Sequence, residues 1–323
     1  MSTGTSPQST AKARPLAVIA GPTASGKSAL AVALAQALAE DDTRAVVINA
    51  DSAQVYADLA VLSARPVEDE LGGIEHRLYG EWDAANPCSA AEWAARAKEE
   101  IADCHEQGAV PILVGGTGLY LRVLLEGIAP IPEIELEIRE VVRAMPTERA
   151  YTALQIEDPQ RAAMLEPGDS QRIARALEVK RSTGVTLGDW QLAKTGGLAE
   201  EVTLHPLVLM PERTWLYKRC GERFAAMVEN GAIAEVEALL ERGLSPDLPV
   251  MRAIGVSEIA AFLRDETDRE SMIAAGAQAT RRYAKRQFTW LRNQAPENWP
   301  RFETGSSNES IDIRSIFAGL FRE

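Results

Sequence analysis

Apolar residues in the first 130 positions fall into short continuous runs separated by longer helix-forming stretches. Leu16 to Ala20 is such a run, and Gly21-Pro22 ends it, which predicts a buried strand and a turn. Ser25 to Glu40 is rich in Ala and Leu and predicts a helix. Ala45 to Ile48 repeats the strand signal and leads into Asn49-Ala50-Asp51-Ser52. Ala90 to Gln107 predicts a long helix ended by Gly108, and Val110 to Val114 a third buried strand. Gly115-Gly116 then turns the chain into a helix over Leu119 to Glu126. Buried strands alternating with helices predict an α/β fold, a parallel sheet flanked by helices.

After Pro130 and Pro132 the pattern changes. From Glu133 to about Gly196 there are helical segments and turns without a strand, which predicts a helical insertion over 133–199. Val202 to Met210 is strand-like and returns the chain to the sheet. Helices are predicted over Glu212 to Asn230, Ala232 to Arg242, Gly255 to Arg264 and Arg269 to Arg292. Residues 15–132 and 200–294 thus form the expected core, with 295–323 a C-terminal tail. Met1 to Arg14 is polar and without an apolar h-region, so it reads as a disordered tail and not a secretion signal.

Composition narrows the class without naming a function. The 46 % hydrophobic and 25 % charged content is that of an ordinary globular protein. No run approaches the roughly 20 apolar residues a membrane helix needs. Three scattered cysteines and three unpaired histidines show no metal-ligand spacing, and a reducing cytoplasm fits them. A monomer is the default expectation. The net charge of −13 argues against a nucleic-acid partner unless positive charge is concentrated on one face.

Gly21-Pro22-Thr23-Ala24-Ser25-Gly26-Lys27-Ser28 matches G-x-x-x-x-G-K-[ST] at every fixed position. Its glycines let backbone N–H groups approach phosphate oxygens at the positive end of the following helix. Lys27 would neutralise phosphate charge and the Ser28 hydroxyl could ligate Mg²⁺. By itself such a loop suggests ATP. A hydrolysing NTPase, however, would carry an acid at the end of a second apolar strand, whereas Val110 to Val114 runs into Gly115-Gly116-Thr117. Asp51 is the acid at a strand end, and strand C-termini border the ligand crevice of an open parallel sheet. It reads as a base or metal-binder for an acceptor, or else as the N-cap of a helix over Ser52 to Tyr56. Thr117 reads equally as a phosphate donor or as the cap of the helix that follows it.

Arg281 to Arg292 holds five basic residues and no acid, a local reversal of sign in an acidic chain. On a helix Arg281, Lys285 and Arg292 share a face, with Arg282 and Arg286 beside it. Gln171-Arg172-Ile173-Ala174-Arg175, with Lys180 and Arg181, is a second basic patch, on the insertion. Solvated helix faces and a surface that tracks an RNA backbone are both open readings.

Five segments in order resemble the tRNA dimethylallyltransferases, also called tRNA isopentenyltransferases. They are Gly21–Ser28, Asn49–Tyr56, Val114–Leu121, Asp158–Val179 and Thr280–Arg292. The resemblance implies a P-loop NTPase-like fold and transfer of a dimethylallyl group from dimethylallyl diphosphate, with Mg²⁺, to N6 of adenosine 37 beside a tRNA anticodon. It implies that Gly21, Thr23, Ala24, Ser25, Gly26, Lys27 and Ser28 hold the diphosphate. Asp51 would be the general base, Thr117 would contact the reacting end, and Arg223 would bind diphosphate. It places tRNA contacts at Ser52, Ala53, Gln54, Arg139, Gln171, Arg172, Arg175, Arg252, Lys285, Arg286, Gln287 and Arg292. The chain departs from the family pattern at Glu75-His76-Arg77, at Ser63-Ala64-Arg65-Pro66, and at Val256 and Ser257. A P-loop kinase for a small metabolite is the alternative, and it leaves the basic segments unexplained.

Overall fold

A computed structural model describes residues 14–303 and 311–321. Residues 1–13, nearly all of the expected N-terminal tail, lie outside the described residues. The sheet has six strands, β1 Pro15–Ala20, β2 Ala45–Asn49, β3 Glu75–Arg77, β4 Val110–Gly115, β5 Thr203–Leu209 and β6 Arg301–Phe302. Their order is β3-β2-β4-β1-β5-β6 and every pairing is parallel. The four central strands are the predicted apolar runs, because strands covered on both faces are apolar throughout. The two edges carry no such run. β3 is Glu-His-Arg, with Arg77 paired to Glu75, Glu100 and Asp103, a charged edge of the kind that resists edge-to-edge association.

The sheet and most helices form one compact unit, 1–124 with 199–323; Leu125–Leu198 forms a second. In the first, α1 Lys27–Glu40, α2 Glu68–Leu71 and α3 Ala90–Glu106 connect the first four strands, and α4 Gly118–Glu126 starts there after β4. The second holds α5 Leu136–Arg143, α6 Thr147–Glu157, α7 Pro159–Ala162, α8 Ser170–Thr183 and α9 Leu187–Leu192. The first then resumes with α10 Arg213–Glu229, α11 Ala232–Glu241, α12 Val256–Leu263, α13 Arg269–Gln294 and α14 Ile313–Ile316.

The second unit begins at Leu125, eight residues before the expected Glu133. Its neck is closed by an Ile128–Thr195 antiparallel bridge and a Lys194–Glu126 ion pair of 2.5 Å. Its own core packs Val142, Leu154, Ile173 and Leu177, all 1 % exposed or less. The described parts of the expected C-terminal tail pack on the first unit. Arg301 and Phe302 extend the sheet beside β5, and Phe317, fully buried, joins the core formed by α1 and the strands. Short apolar segments between polar ones carry too little periodicity to announce this, since their partners, β5 and α1, are distant in the chain.

Candidate active site

The phosphate loop is built between β1 and α1. Helix α1 starts at Lys27, two residues later than predicted, because Ala24 and Gly26 are left-handed (φ 65° and 90°) and cannot continue a helix. A left-handed Ala costs of order 1–2 kcal/mol, and such strain persists where the surroundings enforce it. No side chain caps α1 and its first turn holds no acid, so its N-terminal N–H groups keep their positive end for an anion. Lys27 is 8 % exposed and its ammonium donates to the Pro22 carbonyl at 3.4 Å. Burial lowers its pKa to about 8, against the opposing pull of Asp51. Arg223 of α10 donates to the Thr23 hydroxyl, and burial lowers its pKa too. Ser25 Oγ and Arg223 Nε are buried without a hydrogen-bond partner. Two orphaned polar groups beside a buried ammonium are costly unless a polyanion satisfies them.

The loops after β2 and β4 lie against this one. A Cβ at Gly115 would stand 2.1 Å from the Ala50 carbonyl oxygen, so glycine is what allows the approach. Asp51 is 6 % exposed; its Oδ1 accepts from the Ala53 N–H at 3.0 Å, and Asn49 receives the Asp51 N–H at 2.9 Å. Ser52 to Tyr56 is a series of turns and not a helix, so Asp51 stabilises a turn and caps no helix. Thr117 stands just before α4, and its carbonyl accepts from the Leu121 N–H at 3.2 Å. Its hydroxyl accepts from the Ser52 N–H at 3.0 Å and donates to Ser52 Oγ at 3.3 Å, tying the two loops together.

A cavity of 240 Å³ opens from these loops. Its polar wall includes Thr23, Asp51, Ser52, Arg223 and Tyr283, and its apolar wall Leu59, Leu62, Phe224, Met227 and Ile254. Glu235 of α11 holds the apolar wall in place by accepting from the N–H groups of Ala60, Val61 and Leu62 at 2.5, 2.9 and 2.8 Å. The Tyr283 phenol is raised in pKa by burial and then by the charge of Asp51. Glu235, Phe224 and Tyr283 were not singled out for the site by sequence reasoning. Phe224, which follows Arg223, and Tyr283, an aromatic within the basic segment, carried a positional hint.

The expected RNA contacts divide. Ser52 and Ala53 line the cavity, as do Arg252 and Arg286. Lys285, Arg286 and Arg292 are exposed on α13, with Arg286 over the Tyr283 ring at 5.6 Å. Gln287 and Gln54, also expected as RNA contacts, face inward. Gln287, 5 % exposed, accepts from the Thr23 N–H at 2.7 Å and donates to the Gly116 carbonyl at 3.0 Å. Gln54, 9 % exposed, donates to the Ser63 and Ala64 carbonyls at 3.2 and 2.8 Å. Both residues brace loops. Val256 is buried, so the departure from the family pattern there falls on a core position. In the second unit Gln171, Arg172 and Arg175 are exposed on α8, and Arg139 Nε on α5 is buried without a partner.

The fold and this site define a P-loop α/β protein whose phosphate loop opens onto a half-apolar cleft. Comparison sets the class more narrowly. A model of the IPP transferase family matches residues 54–294, and the chain belongs to that family of transferase enzymes. It is 60 % identical over 319 residues to a tRNA dimethylallyltransferase of Erythrobacter litoralis, covering 99 % of each chain. It is 61 % identical over 272 residues to one of Novosphingobium aromaticivorans, covering 84 % of this chain and 97 % of that one. Among solved structures, the tRNA isopentenylpyrophosphate transferase of Bacillus halodurans superposes with TM-score 0.68 at 32 % identity, over 95 % of this chain and 96 % of that one. A eukaryotic dimethylallyltransferase acting on tRNA gives 0.77 at 26 % identity, over 92 % and 75 %.

Proposed function

We propose that the chain transfers a dimethylallyl group from dimethylallyl diphosphate to N6 of adenosine 37 next to a tRNA anticodon, releasing diphosphate. The observation that carries this reading is one cavity lined by Thr23 of the P-loop, Arg223 and Asp51 and by the apolar Leu59, Leu62 and Phe224. The allylic C–O bond breaks and diphosphate leaves with the electron pair. Lys27, Arg223 and the N–H groups of the loop stabilise the charge it gains. The N6–C bond forms, and the N6 proton passes to the Asp51 carboxylate, while Thr117 and Ser52 hold the reacting end. The target base has to leave its stack to enter so enclosed a site.

Mg²⁺ fits the donors present. The half-buried Ser28 hydroxyl offers one oxygen, and among the described residues no group of three His, Cys, Asp or Glu could hold an ion alone. An ion held mainly by diphosphate oxygens and water is what such a site takes. It would supply further neutralisation of the leaving group. The exposed cations Arg172, Arg175, Arg252, Lys285, Arg286 and Arg292, with Gln171, Arg139, Ser52 and Ala53, are the proposed tRNA contacts.

The enzyme is proposed to act as a cytoplasmic monomer. The described cysteines are free and buried, and no helix among the described residues is long and apolar enough to cross a membrane. The kinase alternative draws no support from any relative. Incubation with labelled dimethylallyl diphosphate, Mg²⁺ and unmodified tRNA tests the reading. Label appears at adenosine 37; its absence from tRNA, with transfer from ATP to a metabolite instead, overturns it.

A further inference from the structure

Where the apolar wall ends decides what prenyl chain the cavity accepts. Arg223 and Phe224 are consecutive on α10. The guanidinium reaches the phosphate loop at Thr23, and the next side chain, 1 % exposed, lines the same cavity. Phe224 is backed by main chain. A Cβ added at Gly276 of α13 would lie 2.0 Å from its Cζ and 2.1 Å from Cε1, and one at Gly255 would lie 2.9 Å from Cε2. The Gly255 Cβ would also meet Leu62 Cδ1 at 2.6 Å, so Leu62 and Phe224 both lie against that glycine. A ring lying on the backbone of a 26-residue helix has no flexible side chain behind it to yield. The wall it forms is therefore rigid, and the cavity, at 240 Å³, stays below the roughly 300 Å³ of a typical drug-sized site.

We infer that Phe224, seated on Gly255 and Gly276, is the chain-length stop of the prenyl pocket. It admits a five-carbon allylic group and excludes the next isoprenologue, a ten-carbon allylic diphosphate. This rests on the proposed transferase reading and adds the residue that sets its donor class. Truncating the ring opens space beyond the stop, so the longer chain can thread toward α13 while its diphosphate keeps the same loop.

The test compares dimethylallyl and geranyl diphosphate as donors to unmodified tRNA, for the unaltered protein, Phe224→Ala and the milder Phe224→Leu. The unaltered protein prefers dimethylallyl diphosphate. In Phe224→Ala the ratio of kcat/KM for geranyl over dimethylallyl diphosphate rises by at least roughly tenfold, as expected when a hydrophobic pocket gains room. Phe224→Leu shows a smaller rise in the same direction.

If the unaltered protein modifies tRNA with dimethylallyl diphosphate and uses geranyl diphosphate about as well, there is no stop and the inference fails. That result needs no variant to fold. An unchanged ratio in folded Phe224→Ala or Phe224→Leu also overturns it. Failure of the unaltered protein to modify tRNA with either donor would count against the transferase reading itself, a distinct outcome.

Discussion

The phosphate loop and the outer face of α13 are both positively charged, yet they differ in every physical respect that matters. At the loop, Lys27 and Arg223 are withdrawn from water, lowered in pKa by burial, and tied to Pro22 and Thr23. On α13, Lys285, Arg286 and Arg292 stand in solvent. Buried charge acts as a fixed part of a small machine, and its effect is large per group. Exposed charge acts collectively, through the ion atmosphere, and no single member dominates. One helix joins the two regimes, since Gln287, between Arg286 and Phe288, turns inward and holds the phosphate loop to Gly116.

That contrast can be broken from the buried side first. Asp51→Ala is expected to lower single-turnover transfer by about 10²–10⁴-fold while tRNA binding in a filter assay stays unchanged, the loss typical of a positioned base. A near-normal rate would remove Asp51 from proton transfer. Lys27→Met should lower kcat by about 10²–10³-fold, the size of one electrostatic donor to a developing charge. Gln287→Leu leaves the Thr23 N–H and the Gly116 carbonyl without their partner. It should cost about 1–3 kcal/mol in urea unfolding, with weaker donor binding. An unaltered midpoint would show that the loops hold each other without it.

The pH dependence comes next in size. Protonated Lys27 is the form that holds an anion, and with a pKa of about 8 it is already charged below that pH. Above it, donor binding must take up a proton, so affinity for dimethylallyl diphosphate should fall by up to about tenfold between pH 8 and 9. Calorimetry checks this, and in Lys27→Met the fall disappears. The exposed side gives the smallest change in rate. Lys285→Ala with Arg292→Ala should leave single-turnover transfer at saturating tRNA unchanged and reduce the salt slope of tRNA binding by about two. A large drop in the saturated rate would place these residues in the chemistry, contrary to the division drawn here.

The phosphate loop was legible from residues 21–28 because its mechanism needs fixed residue types at fixed spacing. The four central strands were legible because burial on both faces leaves an apolar run. Other parts depend on contacts between residues far apart in the chain. Thr117 could be read as a helix cap or a phosphate donor, and it proves to be a clasp on Ser52, 65 residues away. Gln54 and Gln287 lie in segments that read as RNA contacts, but neighbours on one helix or loop face different ways. Glu235, whose carboxylate holds three N–H groups of residues 60–62, has no local signature at all. Strand β6 and Phe317 complete the core through segments too short for periodicity to register.

By itself the sequence determined the α/β class, the phosphate loop, the acid at the end of β2, and the concentration of positive charge on α8 and α13. Each is a local property, written in residue type and spacing. Only the tertiary structure decided which groups meet in one cavity, which glutamines brace loops, and that Phe224 is pressed between Gly255 and Gly276. Those are matters of packing between segments distant in the chain. A close-packed interior fixes side chains by what surrounds them in space, and neighbours in sequence do not record it.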